Sequence, residues 1–169
     1  MKQIPERFTW AESLVNPSAD DRILEVGCGA GILASLLAVR LDSGHLHAID
    51  RSLPMVNKAV ARNRQYIEAG KMTVSHGEFR EIAHQQPFNK IVAFNVGFFQ
   101  RESPVELAAI RRLLEPQGKL FVFYQAPYEI DAAYATPITA NLARHSFSVE
   151  TVLVEQLRPT SACCVIGML

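Results

Sequence analysis

Between positions 23 and 33 the chain reads Ile23-Leu-Glu-Val-Gly-Cys-Gly-Ala-Gly-Ile-Leu33, an apolar run that ends in three alternate glycines and passes directly into helical periodicity. No other stretch constrains the fold as much. A buried strand must end here, the backbone must bend where a Cβ would clash, and a helix must begin. Bare amide groups are then left facing any ligand that lies against the bend at the helix start. Gly27, Gly29 and Gly31 form the bend, with Glu25 two positions ahead of it.

The remaining pattern alternates strand with helix. Residues 22–26 read as a buried strand, and Ile32, Leu33, Leu36, Leu37 and Leu41 recur at helical spacing until Asp42-Ser-Gly44. Residues 45–49 form a second strand. Ser52 caps a helix with Pro54 in its first turn and one apolar stripe of Met55, Val56, Ala59, Val60, Tyr66 and Ile67, stopped by Gly70. A third strand spans 71–75, a short helix 80–84 and a fourth strand 90–94. Ser103-Pro-Val-Glu106 has capping-box spacing ahead of Leu107, Ile110, Leu113 and Leu114, and Pro116-Gln-Gly118 separates that helix from strand 119–124. A last helix runs from Thr136-Pro137 to about His145. Strands at 149–157 and 162–168 are separated only by Arg158-Pro-Thr160, too short for a crossover helix, so they are antiparallel. The expected fold is α/β: a doubly wound, mostly parallel sheet with one reversed strand and helices on both faces. With 169 residues, no repeat and no linker, residues 1–169 are expected to form one domain.

In such a sheet a ligand sits beyond the carboxyl ends of the strands. Three features fall there. The glycine bend follows strand one. Asp50 ends strand two, where a carboxylate accepts hydrogen bonds from both hydroxyls of a ribose. Gly77-Glu78-Phe79 follows strand three, placing an acceptor for an exocyclic amine beside a ring that suits a purine. Together they outline an adenosine-shaped site. NAD is the weaker reading, and with it an NAD-dependent oxidoreductase. Counted from Gly27, the sixth position of the dinucleotide fingerprint is Ile32, and Gly31 comes one residue too early.

An acidic residue followed by hydrophobic-Gly-x-Gly-x-Gly resembles motif I of the class I S-adenosylmethionine-dependent methyltransferases. Asp50-Arg-Ser-Leu-Pro-Met55 is similar to that family's segment after strand two, and Arg-Leu-Leu-Glu-Pro-Gln-Gly118 to its turn into strand five; the likeness runs from Phe8 to Met168. The resemblance implies a Rossmann-like seven-stranded sheet ordered 3-2-1-4-5-7-6, S-adenosylmethionine as cofactor, and methyl transfer by in-line displacement. It also implies that Gly27, Gly29 and Gly31 line the methionine moiety, with Glu25 ordering the loop or reaching the ammonium through water. Asp50 would hold the ribose, Arg51 and Met55 flank the adenine, and Glu78 with the Phe79 backbone meet its edge. Asn95, just past strand four, would lie near the sulfonium and the acceptor. Glu78 stands where the family more often has aspartate, and Asn89 where an aspartate often opens strand four.

The donor already carries its activation, so alignment and water exclusion dominate and no catalytic base is obligatory. Asn95, Tyr124, Tyr128 and His145 are the available polar candidates, each with packing or solvation as the plainer role. Asn95-Val-Gly-Phe98 lacks both prolines of the Asn-Pro-Pro-Phe motif of amino-group methyltransferases. Acceptor specificity falls to Phe8 and Trp10, to residues 96–103 and to residues 126–136. These contain Phe98, Phe99, Tyr128 and Tyr134 with few charges, which suits a small, partly apolar molecule; the same aromatics also serve as core. Lysine plus arginine equals aspartate plus glutamate, 17 against 17, so nucleic acid is not the favoured partner. A binder of the cofactor that lacks catalysis, or that needs a partner protein, is the alternative. His45 and His47 share a strand face without a third ligand, so no metal is expected. Cys28, Cys163 and Cys164 read as small apolar side chains, and the absence of a leader-like or membrane-length apolar stretch points to the cytoplasm.

Overall fold

The structure is a computed structural model describing residues 4–83 and 86–169. Its centre is a seven-stranded sheet of β1 (Arg22–Val26), β2 (His45–Asp50), β3 (Met72–His76), β4 (Phe88–Phe94), β5 (Leu114–Gln125), β6 (Ser148–Glu155) and β7 (Ala162–Met168), ordered β3-β2-β1-β4-β5-β7-β6. The pairs β1–β2, β1–β4, β2–β3 and β4–β5 are parallel, while β7 runs antiparallel to both β5 and β6. The order is the one that the resemblance implies, and the single reversed strand is the one that the short 158–160 connection requires.

Helices cover the two faces. On one side α1 (Glu6–Val15), α2 (Ile32–Ala38) and α3 (Leu53–Glu68) bury Val15, Leu33, Leu37 and Ala59 against Ile23, Leu46, Val92 and Phe123. On the other, α4 (Pro104–Leu113) and α5 (Thr136–Arg144) bury Leu107, Ile110, Ile138 and Leu142 against Leu24, Ile91, Val122 and Val165. Consecutive residues Ile23 and Leu24 enter opposite layers, as strand alternation requires, so β1 is apolar on both faces and only Glu25 interrupts it between Ile23 and Val26. No helix among the described residues is long and apolar enough to cross a membrane.

Several boundaries differ from expectation for local reasons. α2 ends at Ala38, although Leu41 is still buried. α3 turns Val56, Ala59 and Asn63 inward, whereas Met55 and Val60 are 36% and 38% exposed, flanking that stripe instead of joining it. The expected helix at 80–84 is a 3-10 turn, Phe79–Glu81, and His84 lies outside the described residues. Ser103 precedes α4 but does not cap it; its hydroxyl donates to Phe98 O at 2.8 Å and to Arg101 O at 3.1 Å. β5 begins at Leu114, paired with Phe88, and resumes its register at Lys119 beyond the left-handed Gln117. The helix α1 was not foreseen. It sets Phe8 edge-on to Phe94 and Trp10 edge-on to Phe123, so both aromatics close the core.

Candidate cofactor cleft

A cleft of about 330 Å³ opens at the carboxyl ends of the strands. Val26 and Gly27 form its floor after β1, Ile49, Asp50 and Arg51 the side after β2, and Gly77, Glu78 and Phe79 the side after β3; Phe94 to Phe98 close it after β4, with Arg101 and Glu106 beyond. The structure therefore brings Gly27, Asp50, Arg51, Glu78, Phe79 and Asn95 together. Glu25, Gly29, Gly31 and Met55 do not line this cavity.

The glycine turn is held from behind. Gly27 N and Cys28 N both donate to Ile49 O, at 2.8 and 3.1 Å, and Gly29 N donates to Asp50 Oδ2 at 2.8 Å. Asp50 Oδ1 accepts from Ser52 N at 2.8 Å. Asp50 thus fixes the turn and the start of α3 together, using one lone pair on each oxygen and keeping the second pairs for a ligand. All three glycines adopt left-handed φ, 71°, 53° and 72°. Only at Gly29 would a Cβ enter open space, with no atom within 4 Å.

Glu25 lies under the turn, 3% exposed, and its Oε2 has no hydrogen-bond partner among the described residues. Burial, reinforced by the Asp50 charge and opposed by the Ala34 backbone N–H, pushes its pKa up to about 8. A buried acid with an unsatisfied oxygen is what a neighbouring cation would stabilise in its ionised form. Cys28, buried beside it, has its thiol pushed far above the ordinary range by the same burial and carboxylates, so it is packing and not a nucleophile.

On the opposite side Arg51 Nη1 approaches Glu78 Oε1 to 3.7 Å at the rim. The Phe79 ring stacks on Phe98 with centroids 5.5 Å apart and so belongs to the wall. Met55 stands on the outer surface of α3. Asn95 adopts φ 56° at the end of β4, where its Oδ1 accepts from Gln125 N at 2.9 Å and its Nδ2 donates to Gln125 O at 3.3 Å. Its amide is thus occupied in joining β4 to β5.

The other polar candidates are engaged elsewhere. The Tyr124 hydroxyl donates to Val96 O, and burial raises its pKa above the ordinary phenol range. His145 Nδ1 meets Asn141 O at the end of α5. Tyr128, 59% exposed, lies with Tyr134, Glu129 and Asp131 in a separate hollow. His45 contacts Gly70 O and Thr73 Oγ1, and His47 contacts Ser75 Oγ. Asn89 accepts from Arg22 N and donates to Asp21 Oδ1, while Lys90 Nζ lies 2.7 Å from Asp21 Oδ2, so the departure at position 89 is a structural exchange.

The sequence reading placed Arg101 only within the acceptor segment 96–103 and Glu106 only in a capping box, and singled out neither as a cleft residue. It also missed two buried asparagines, Asn63 and Asn141, whose place on apolar helix faces was the available signal.

The methyltransferase domain family matches residues 23–118, the span from β1 and its turn through Asp50 and Glu78 to the bend inside β5. The chain belongs to this family. The resemblance to class I S-adenosylmethionine-dependent methyltransferases is thereby borne out. A tRNA1(Val) (adenine(37)-N6)-methyltransferase of Dyadobacter fermentans is 26% identical over 122 residues, 62% of this chain and 50% of that protein. The Bacillus subtilis protein YrhH is 29% identical over 104 residues, 61% of this chain and 57% of that one. The chain thus spans about half the length of the curated relatives it matches. Among solved structures, a SAM-dependent methyltransferase from Aquifex aeolicus superposes with a TM-score of 0.74 at 18% identity, covering 98% of this chain and 90% of the other, a likeness of fold.

Proposed function

We propose that the cleft holds S-adenosylmethionine and that the protein transfers its methyl group to a small, partly apolar acceptor. The carrying observation is the conjunction at one end of the sheet of a glycine turn with open space above Gly29, a buried carboxyl with an unsatisfied oxygen at Glu25, and two carboxylates at Asp50 and Glu78. These groups fit an amino acid joined to a nucleoside. When bound, the cofactor supplies a methyl group already activated on a sulfonium. The free lone pairs of Asp50 accept ribose hydroxyls, and Glu78 accepts an exocyclic amine. Glu25, ionised, balances an ammonium. Val26, Ile49, Phe94, Val96 and Phe98 give the cleft apolar wall beside these polar groups, so the chain's contribution is alignment of donor and acceptor. Gly27, Gly29, Gly31, Arg51, Met55, Phe79 and Asn95 belong to the same reading, the last as a strut for the β4 end. A reducing, cytoplasmic setting accords with three free, buried cysteines.

A nucleic-acid acceptor is the second reading, favoured by the tRNA-modifying relative. Against it stand the balanced charge and the engagement of the Asn95 amide with Gln125.

Calorimetric titration with S-adenosylhomocysteine and with NAD tests the cofactor assignment. S-adenosylhomocysteine is expected to bind and NAD not; Asp50→Ala should abolish the uptake and His45→Ala leave it unchanged. Binding of NAD alone, or equal effects of the two substitutions, contradicts the reading. Release of S-adenosylhomocysteine from S-adenosylmethionine across a metabolite library and a tRNA pool then identifies the acceptor class.

A further inference from the structure

The third glycine of the turn faces protein. A Cβ on Gly31 would lie 2.5 Å from Asn63 Nδ2 and 2.9 Å from Ala59 Cβ, so α3 presses directly on the bend. At that contact α3 carries an asparagine with no exposed surface, at the spacing from Val56 and Ala59 where the inward stripe calls for an apolar side chain. The helix also leaves regular geometry there, with φ −104° and ψ 15° at Asn63.

The bonding of the side chain gives both anomalies a purpose. Asn63 Nδ2 donates to Gly31 O at 3.0 Å and to Ala59 O at 2.9 Å, while the Ser35 hydroxyl lies between Asn63 Oδ1 at 2.6 Å and Gly31 O at 2.8 Å as donor to either. One amide therefore joins the last residue of the turn, the first turn of α2 and the middle of α3. The adjacent Arg62 Nε donates to Ala30 O at 2.9 Å, so two successive carbonyls of the bend are held from α3. A buried amide with its donors and acceptor matched in this way fixes one arrangement of the elements it joins. Asp50 holds the front of the turn through Gly29 N, and Asn63 holds its rear.

We propose that Asn63 is a positioning residue for the cofactor: it sets the backbone of residues 27–31 in the shape that receives the amino-acid end of S-adenosylmethionine, and it acts without touching the ligand. This rests on the cofactor reading above. Its distinguishing consequence is that the amino-acid end depends on Asn63 more strongly than the nucleoside end, at Asp50 and Glu78, does.

The test is calorimetric titration of the full chain with S-adenosylhomocysteine and, separately, with adenosine, for the wild type, Asn63→Ala and Ser35→Ala. Asn63→Ala should weaken S-adenosylhomocysteine about tenfold and change adenosine by less than about twofold. Ser35→Ala should move the same ratio in the same direction by a smaller factor. Equal loss of both ligands, or an unchanged ratio, overturns the proposal. If Asn63→Ala does not fold, the ratio in Ser35→Ala decides by the same criterion. A wild type that binds neither ligand refutes the cofactor reading and this inference with it, whereas a wild type that binds both with variants of unchanged ratio refutes the role of Asn63 alone.

Discussion

Glu25 sits where ionisation and folding oppose each other. Its pKa rises from 4.5 to about 8 on burial, so the folded state binds the proton more tightly than the unfolded state. The stability this confers is present below about pH 4.5 and is lost as pH climbs through that window towards 8. Glu25→Gln should flatten the fall in thermal midpoint over that range and melt higher than the wild type at pH 8; identical pH profiles would show that Glu25 is not the group responsible. The glycines separate in the same residue-by-residue way. Gly31→Ala meets Asn63 and Ala59 and should destabilise by about 3 kcal/mol in denaturant titrations, combining overpacking with left-handed strain. Gly29→Ala meets no atom within 4 Å and carries only the strain, about 1 kcal/mol in the same titrations. The alternate spelling announced the bend without revealing that the third glycine serves helix packing, because that depends on which residue of a distant helix arrives there.

At the scale of elements, the segment 97–101 that walls the cleft is held from α5. Asn141 Nδ2 donates to Arg101 O at 2.6 Å and to Phe99 O at 3.2 Å. Asn141→Leu should remove about 2 kcal/mol of stability by leaving buried carbonyls unpaired, read from urea or guanidinium unfolding; a change under about 0.5 kcal/mol would show that water satisfies them. The strand cores were legible because a strand covered on both faces puts consecutive apolar residues in the sequence, as at Ile23-Leu24 and Ile91-Val-Ala-Phe94. The helix faces were legible only in part. Met55 and Val60 are apolar yet flank the buried stripe, and Asn63 is polar yet lies at its centre, so hydrophobicity alone put two flanking residues of α3 into the stripe and left out a central one. Ser103-Pro-Val-Glu106 spelled a cap, but the carbonyls of Phe98 and Arg101 captured the hydroxyl, a tertiary contact that no local pattern records.

Over the whole molecule, the topology gathers the ends of β1, β2, β3 and β4 around one cleft, which is why residues as distant as Gly27, Glu78 and Arg101 share it. That convergence was readable in the alternation of strands and helices, which makes these four strands parallel and puts their carboxyl ends at one edge. The acceptor side was not. Phe8, Trp10 and Phe99, aromatics that suited either a substrate wall or the core, pack into the core; Phe98 packs there and also walls the cleft, while Tyr128 remains at the surface. Crystals grown with S-adenosylhomocysteine test the central claim most directly. Density is expected in the 330 Å³ cleft, with ribose hydroxyls on Asp50, the base at Glu78 and the amino-acid end at Gly27. Density at any other place on the molecule, or a cleft left empty at saturating ligand, would contradict it.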